Sequence, residues 1–200
     1  MHWANAVLFA ILMATASALY VPQISAAVGR RVEVKTIHVY AGLLLPVPLL
    51  IGYLWPRRGR SFRADLARIN RWTAADRRWL RTRGRDAEAR HRVGKFNAGQ
   101  KLNAAFTGGA IVLMLATGSM MRWPQSFPVS WRTGATFVHD WVAIGLFFAI
   151  TGHVMFAFSD PDALGGMVKG RVRKSWAGVH HPLWLEELAS PPSPRDSTRR

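Results

Sequence analysis

Residues 134–158 read GATFVHDWVAIGLFFAITGHVMFAF, twenty-five residues whose only ionisable groups are His139, Asp140 and His153. A helix needs about 20 predominantly apolar residues to cross the hydrocarbon core of a bilayer. This stretch is long enough, and the rest of the chain is organised around it. Three other apolar stretches have the required length, at about 3–21, 36–55 and 102–121, and the second carries His38 near its start. The expectation is an all-α integral membrane protein, a four-transmembrane-helix bundle over residues 1–188.

Charge gives the orientation. Of the 27 Lys and Arg residues, 22 lie in the long connection 56–101 or in the tail after Phe158, and five lie in the two short connections. Cytoplasmic loops hold the excess of basic residues. The basic loop 56–101 and both termini are therefore expected in the cytoplasm, with the two short loops outside. Trp55, Trp123, Trp131 and Trp141 stand near span ends, as an aromatic belt requires. The net charge of +16 thus belongs to a membrane flank, and no nucleic-acid partner is expected. Membrane lipid is. Within the loop, residues 62–80 mix Arg with Ala, Leu and Trp, the pattern of an interfacial helix. Residues 189–200, rich in Pro, Ser and charge, read as a disordered cytoplasmic tail.

The first apolar stretch admits a second reading as a cleaved signal peptide, because Ala16-Ser17-Ala18 fits a small-residue cleavage site. No basic segment precedes it, so it is read as a span. The choice matters because cleavage would remove His2.

The sequence contains no cysteine. Disulfides, cysteine-ligated zinc and cysteine-ligated iron–sulfur clusters are excluded from this chain. Any metal must be held by His, Met or carboxylates, and histidine inside a span is a functional candidate by default. His139 and His153 are 14 residues apart in the fourth span, which places them within about 40° of one another and about 21 Å apart along the axis. They share a face at opposite depths, His139 outer and His153 inner. Topology supplies their partners. His38 opens the second span on the outer side, and His2 opens the first span on the inner side. Two His–His pairs result, one near each membrane face. Two imidazoles fill both axial positions of a haem, leaving no open position for oxygen or substrate, so such a haem moves electrons. Gly42, Gly118, Gly145 and Gly152 offer room for a porphyrin between helices, although ordinary helix–helix packing is the favoured reading of any single one. His91, His180 and His181, outside the spans, read as hydrated loop residues.

The segment from His91 to Lys101 (HRVGKFNAGQK), the His139-Asp140 and Gly152-His153 pairs, and the segment 176–184 (WAGVHHPLW) resemble the cytochrome b (gamma) subunit of membrane-bound formate dehydrogenases. The resemblance runs from His2-Trp3 to Trp184. This subunit sits in a wider di-haem cytochrome b family shared with nickel–iron hydrogenases. The resemblance implies two haems b, ligated by His38 with His139 and by His2 with His153, in a respiratory subunit of the bacterial inner membrane. It implies a menaquinone or ubiquinone site near the inner haem, at Asn97, Gly99, Gln100 and His153. A polar turn at the cytoplasmic end of a span would give quinone carbonyls their hydrogen-bond partners and a proton source, with Lys95 and Lys101 favouring a developing quinol anion. Without the resemblance, Asn97 to Gln100 reads as a helix cap. The implied partners are an iron–sulfur (beta) subunit and a catalytic molybdenum or tungsten (alpha) subunit, which oxidises formate; this chain has no ligand set for that chemistry. Electrons would run from the periplasmic iron–sulfur partner through the haems to quinone near the cytoplasmic face. A hydrogenase or other dehydrogenase cytochrome b, and a redox-inactive membrane anchor, are the alternatives. One departure is that family members carry a further stretch before the first-span histidine, which here is residue 2.

Overall fold

The structure, a computed structural model, describes residues 1–57 and 59–190. The expected tail 189–200 lies outside the described residues apart from Ala189 and Ser190. Among the described residues the regular structure is helical throughout. The α-helices are α1 His2–Tyr20, α2 Pro22–Val28, α3 Arg31–Leu44, α4 Val47–Leu54, α5 Arg60–Asn70, α6 Ala74–Thr82, α7 Ala87–His91, α8 Ala98–Arg122, α9 Val129–Ser159, α10 Pro161–Lys169, α11 Lys174–His180 and α12 Pro182–Ala189. A single 3₁₀ turn, Pro124–Ser126, joins α8 to α9. Four segments are long and apolar enough to cross a membrane: α1, α3 with α4, α8 and α9. The protein is a helical, multi-pass membrane protein.

The chain forms two compact units, one of Met1–Asp65 with Phe106–Thr151, the other of Leu66–Ala105 with the residues from Gly152 onward. In the first, α1 packs along α3. Its buried residues are mostly small or aliphatic: Ala41, Leu45, Ala110, Ile111, Ala135 and Leu146. Large apolar side chains such as Phe137 and Phe148 point outward. Water would penalise such a surface, whereas lipid tails accept it.

The second span is not one continuous helix. Pro46 and Pro48 lack the N–H that would continue the ladder. The chain tightens at the break, where the Leu45 N–H donates to Gly42 O at 3.2 Å. The carbonyl of Leu45 takes its hydrogen bond from α1, from Asn5 Nδ2 at 2.8 Å. A neighbouring helix thus satisfies a carbonyl at the break between α3 and α4, as a membrane interior demands.

The second unit holds α6, α7, α11 and α12, with α7 against α12 and α11 against α12. The single interfacial helix expected over 62–80 is two helices, α5 and α6. The cause is Thr73, whose hydroxyl accepts the Asp76 N–H while the Asp76 carboxylate accepts the Thr73 N–H. This capping box starts a helix and so ends the preceding one. α6 closes on Arg83 (φ 52) and Gly84 (φ 72). Gly84 is required there twice over, because a Cβ would also lie 3.0 Å from the Trp79 ring.

Candidate functional site

The first unit brings His38, on α3, and His139, on α9, together. Their ring centres are 6.5 Å apart, with the planes inclined at 67°. Each ring is anchored from a further helix. His38 Nδ1 lies 2.9 Å from Thr15 Oγ1 on α1, and His139 Nδ1 lies 2.9 Å from Thr117 Oγ1 on α8. Gly118 clears the space beside His139: a Cβ there would stand 3.3 Å from His139 Cε1. Gly145 serves α9 in another way, leaving room for Phe106, whose Cζ would be 3.3 Å from an added Cβ. Gly42 faces Leu12 at ordinary contact distance, and nothing lies within 4 Å of an added Cβ at Gly152.

The donor set fits a haem. Two metal–imidazole bonds of about 2 Å each, plus the distance from each nitrogen to its ring centre, come to roughly 6 Å. The observed separation of 6.5 Å is close to that span. Among the described residues there is no group of three or more His, Cys, Asp or Glu able to hold a bare metal ion. A porphyrin supplies four nitrogens itself and needs only the pair.

Tyr20 OH donates to Asp140 Oδ2 at 2.5 Å, tying α1 to α9 beside His139. Of the basic residues in the short loops, Arg31 bonds the Leu19 carbonyl and Ser25, Arg30 pairs with Glu33, and Arg122 lies over the Trp123 ring. Arg132 differs, with its Nε buried and without a hydrogen-bond partner. It stands seven residues before His139, two turns along α9 and on the same face.

His2 is the first residue of α1, in the first unit, and His153 stands on α9 in the second. Their pairing is therefore not a contact within either unit.

The second unit positions Asn97, Gly99 and Gln100 at the start of α8. The Asn97 N–H donates to Gln100 Oε1 at 2.9 Å, and the Gln100 N–H donates to Asn97 Oδ1 at 2.9 Å. This reciprocal cap satisfies two backbone donors that the first turn leaves open. It occupies both amide oxygens and leaves both amide NH₂ groups outside the cap. Gly99 makes room for Trp79, whose ring would be 3.3 Å from an added Cβ.

Lys101 does not serve as free positive charge beside this turn, contrary to expectation. It is buried, with Nζ at 2.8 and 2.9 Å from the two Asp76 oxygens and 2.9 Å from the Arg71 carbonyl. Burial alone would raise the Asp76 pKa. Hydrogen bonds from Lys101 and Thr73 outweigh it and hold the carboxyl below its ordinary value.

His181, expected to be hydrated, is buried. Its Nδ1–H donates to Gly94 O at 2.9 Å, and Trp176 and Trp184 flank the ring. The Leu183 N–H donates to Val93 O at 3.2 Å. The joint between α11 and α12 is thereby docked on the segment that leads to Asn97. Burial pushes the His181 pKa down, opposed in part by the Gly94 carbonyl. A depressed histidine adds stability that is complete above its unfolded value of about 6.5 and is lost as pH falls toward the folded value. Amide protection factors in residues 182–189, corrected for the intrinsic exchange rate at each pH, are therefore expected to fall between pH 7.5 and pH 5. Equal protection at both values would show that His181 does not govern this docking.

Residues 1–170 match the family described as prokaryotic cytochrome b561. The chain is 33% identical over 108 residues to the nitrate-inducible formate dehydrogenase cytochrome b556(Fdn) subunit of Escherichia coli strain K12, covering 52% of this chain and 50% of that protein. It is 27% identical over 194 residues to the formate dehydrogenase cytochrome b556 subunit of Haemophilus influenzae, covering 93% of this chain and 78% of that protein. It is 31% identical over 101 residues to the cytochrome b556(fdo) subunit of Escherichia coli K12, covering 48% and 47%. The chain thus spans about half the length of two of these relatives. With four apolar helices, a facing histidine pair of axial-ligand spacing and a family match over most of its length, the chain belongs to the prokaryotic cytochrome b561 family.

Proposed function

We propose that this chain is the membrane cytochrome b subunit of a respiratory formate dehydrogenase, passing electrons from a periplasmic iron–sulfur partner to a quinone near the cytoplasmic face. The observation that carries the reading is the His38–His139 pair, 6.5 Å between ring centres on two apolar helices. The relatives' names point to formate dehydrogenase, and one aligns over nearly the whole chain. Formate oxidation then belongs to a molybdenum- or tungsten-containing subunit of the same complex.

When bound, two b haems supply one-electron carriers between the two faces. His38 and His139 would hold the outer one, and His2 and His153 the inner one. With two imidazoles for each, these residues would hold the carriers and exclude other ligands. The unpartnered Arg132 Nε, on the His139 face of α9, suits an outer haem carboxylate. At the cytoplasmic side, quinone takes two electrons and two protons to become quinol. Asn97 Nδ2 and Gln100 Nε2, the amide groups outside the cap, are the donors for its carbonyl oxygens, with His153 as its neighbour. Gly99 contributes backbone and space. The cytoplasm supplies both protons, so inward electron transfer charges the membrane.

The cap allows a clean test. Asn97→Asp and Gln100→Glu keep the oxygen that caps α8 and remove the amide donor. In the complex purified through this chain, formate is expected to reduce both haems normally. Quinone reduction is expected to fall about 5- to 150-fold, from the roughly 1–3 kcal/mol lost with a buried hydrogen bond. Full quinone reduction in both variants would place the quinone elsewhere. Failure of formate to reduce the wild-type haems would overturn the assignment itself.

A further inference from the structure

Thr15 and Thr117 stand 23 and 22 residues before His38 and His139, on different helices, and meet their histidines in the same way. Thr15 Oγ1 donates to Ile11 O at 2.7 Å and lies 3.1 Å from Leu12 O. Thr117 Oγ1 donates to Leu113 O at 2.8 Å and lies 3.4 Å from Met114 O. A hydroxyl has one hydrogen. Each threonine gives it to its own helix, so its oxygen faces the imidazole as an acceptor. The 2.9 Å bond to each ring must then take its hydrogen from Nδ1. A neutral imidazole protonated at Nδ1 carries its lone pair on Nε2. Both rings are thereby fixed in the tautomer that offers Nε2 to a metal.

We propose that Thr15 and Thr117 are positioning residues for the outer iron porphyrin, each setting the tautomer, the orientation and the basicity of one axial imidazole. The proposal rests on the haem reading above. Metal-bound histidines commonly donate their second N–H to a carboxylate, a carbonyl or water, which raises ligand basicity. A carboxylate within the span would bring a charge that the bilayer opposes. A threonine that has given its proton to its own helix is the neutral equivalent. A more basic imidazole favours ferric over ferrous iron, so the two threonines hold the outer reduction potential down.

The test is a spectroscopic redox titration of the purified complex with Thr15→Val, Thr117→Val, Thr15→Ser and Thr117→Ser. Valine keeps the shape and removes the acceptor; serine keeps the acceptor. Each valine variant is expected to raise one of the two midpoint potentials and leave the other in place. It is also expected to shift the ferric electron paramagnetic spectrum and to weaken retention of the outer haem about 10- to 100-fold against a haem-free competitor protein. Serine variants should match the wild type. Complete loss of one haem in the valine variant alone would also support the proposal. Unchanged potentials and spectra in haem-replete valine variants would overturn it and leave the haem reading standing. Equal loss in valine and serine variants would also overturn it, because packing rather than the hydroxyl would then be the cause. A wild-type protein without haem would overturn both.

Discussion

A His139→Ala variant is expected to purify with one haem fewer per chain and with donor-to-quinone turnover at background. The argument begins with the ligand count. Among the described residues no third His, Cys, Asp or Glu joins His38 and His139 in a metal-binding group, so alanine takes away one of the two imidazoles that the pair offers. It also removes the ring that Thr117 anchors and that Gly118 was cleared to accept. The distance to the inner histidine then decides the functional cost. His139 and His153 are separated by about 21 Å along α9, and the outer carrier is what divides that span for the electron. The measurement is the absorption spectrum of the dithionite-reduced protein with haem quantified per chain. Two haems retained in His139→Ala would show that the pairing is wrong.

Lys101→Met is expected to cost about 3–5 kcal/mol of stability, the price of leaving a buried partner charge alone. Lys101 and Asp76 are each only 10% exposed at the side chain, and the Lys101 ammonium also lies 5.9 Å from the Trp72 ring centre. Solvent therefore screens the pair weakly, and the methionine variant strands the Asp76 carboxylate. At about 2–4 °C per kcal/mol for a chain of this size, the unfolding midpoint in detergent should fall by about 6–20 °C. Adding Asp76→Asn removes the stranded charge and should recover most of the loss, while keeping a side-chain acceptor for the Thr73 cap. A fall of less than 2 °C in Lys101→Met would show that the pair contributes no more than an exposed one. Because the Asp76 carboxyl is held below its ordinary value, the pair's contribution is full above the unfolded carboxylate range and is lost as pH falls through the lower folded value.

The approach of His38 to His139 could be anticipated from the sequence because two regularities converge on these residues. Helical periodicity puts His139 and His153 on one face, and the alternation of basic and neutral loops assigns His38 to the depth of His139. The threonines could not. A threonine inside an apolar helix looks like any other, and only the near-equal offsets of 23 and 22 residues hint at paired roles. The division of α5 from α6 was available in Thr73-Ala-Ala-Asp76, a capping-box pattern, but the amphipathic pattern on either side concealed it. Lys101 with Asp76, and His181 with Gly94, are contacts 25 and 87 residues apart. No local pattern encodes them, and a lysine or histidine at a membrane flank reads by default as hydrated. The cap formed by Asn97 and Gln100 was legible as a cap, and the structure shows which atoms it occupies.

The proline break in the second span has a consequence for biogenesis. α3 has 14 residues and α4 has 8, roughly 21 and 12 Å of helix. Neither half alone crosses a hydrocarbon layer of about 30 Å. A newly made second span entering lipid by itself would carry an exposed carbonyl at the joint, and the side chain that relieves it belongs to Asn5 on the preceding helix. The first two spans are therefore expected to enter lipid together as a helical hairpin, with Asn5 of α1 covering the open carbonyl of the broken helix that follows.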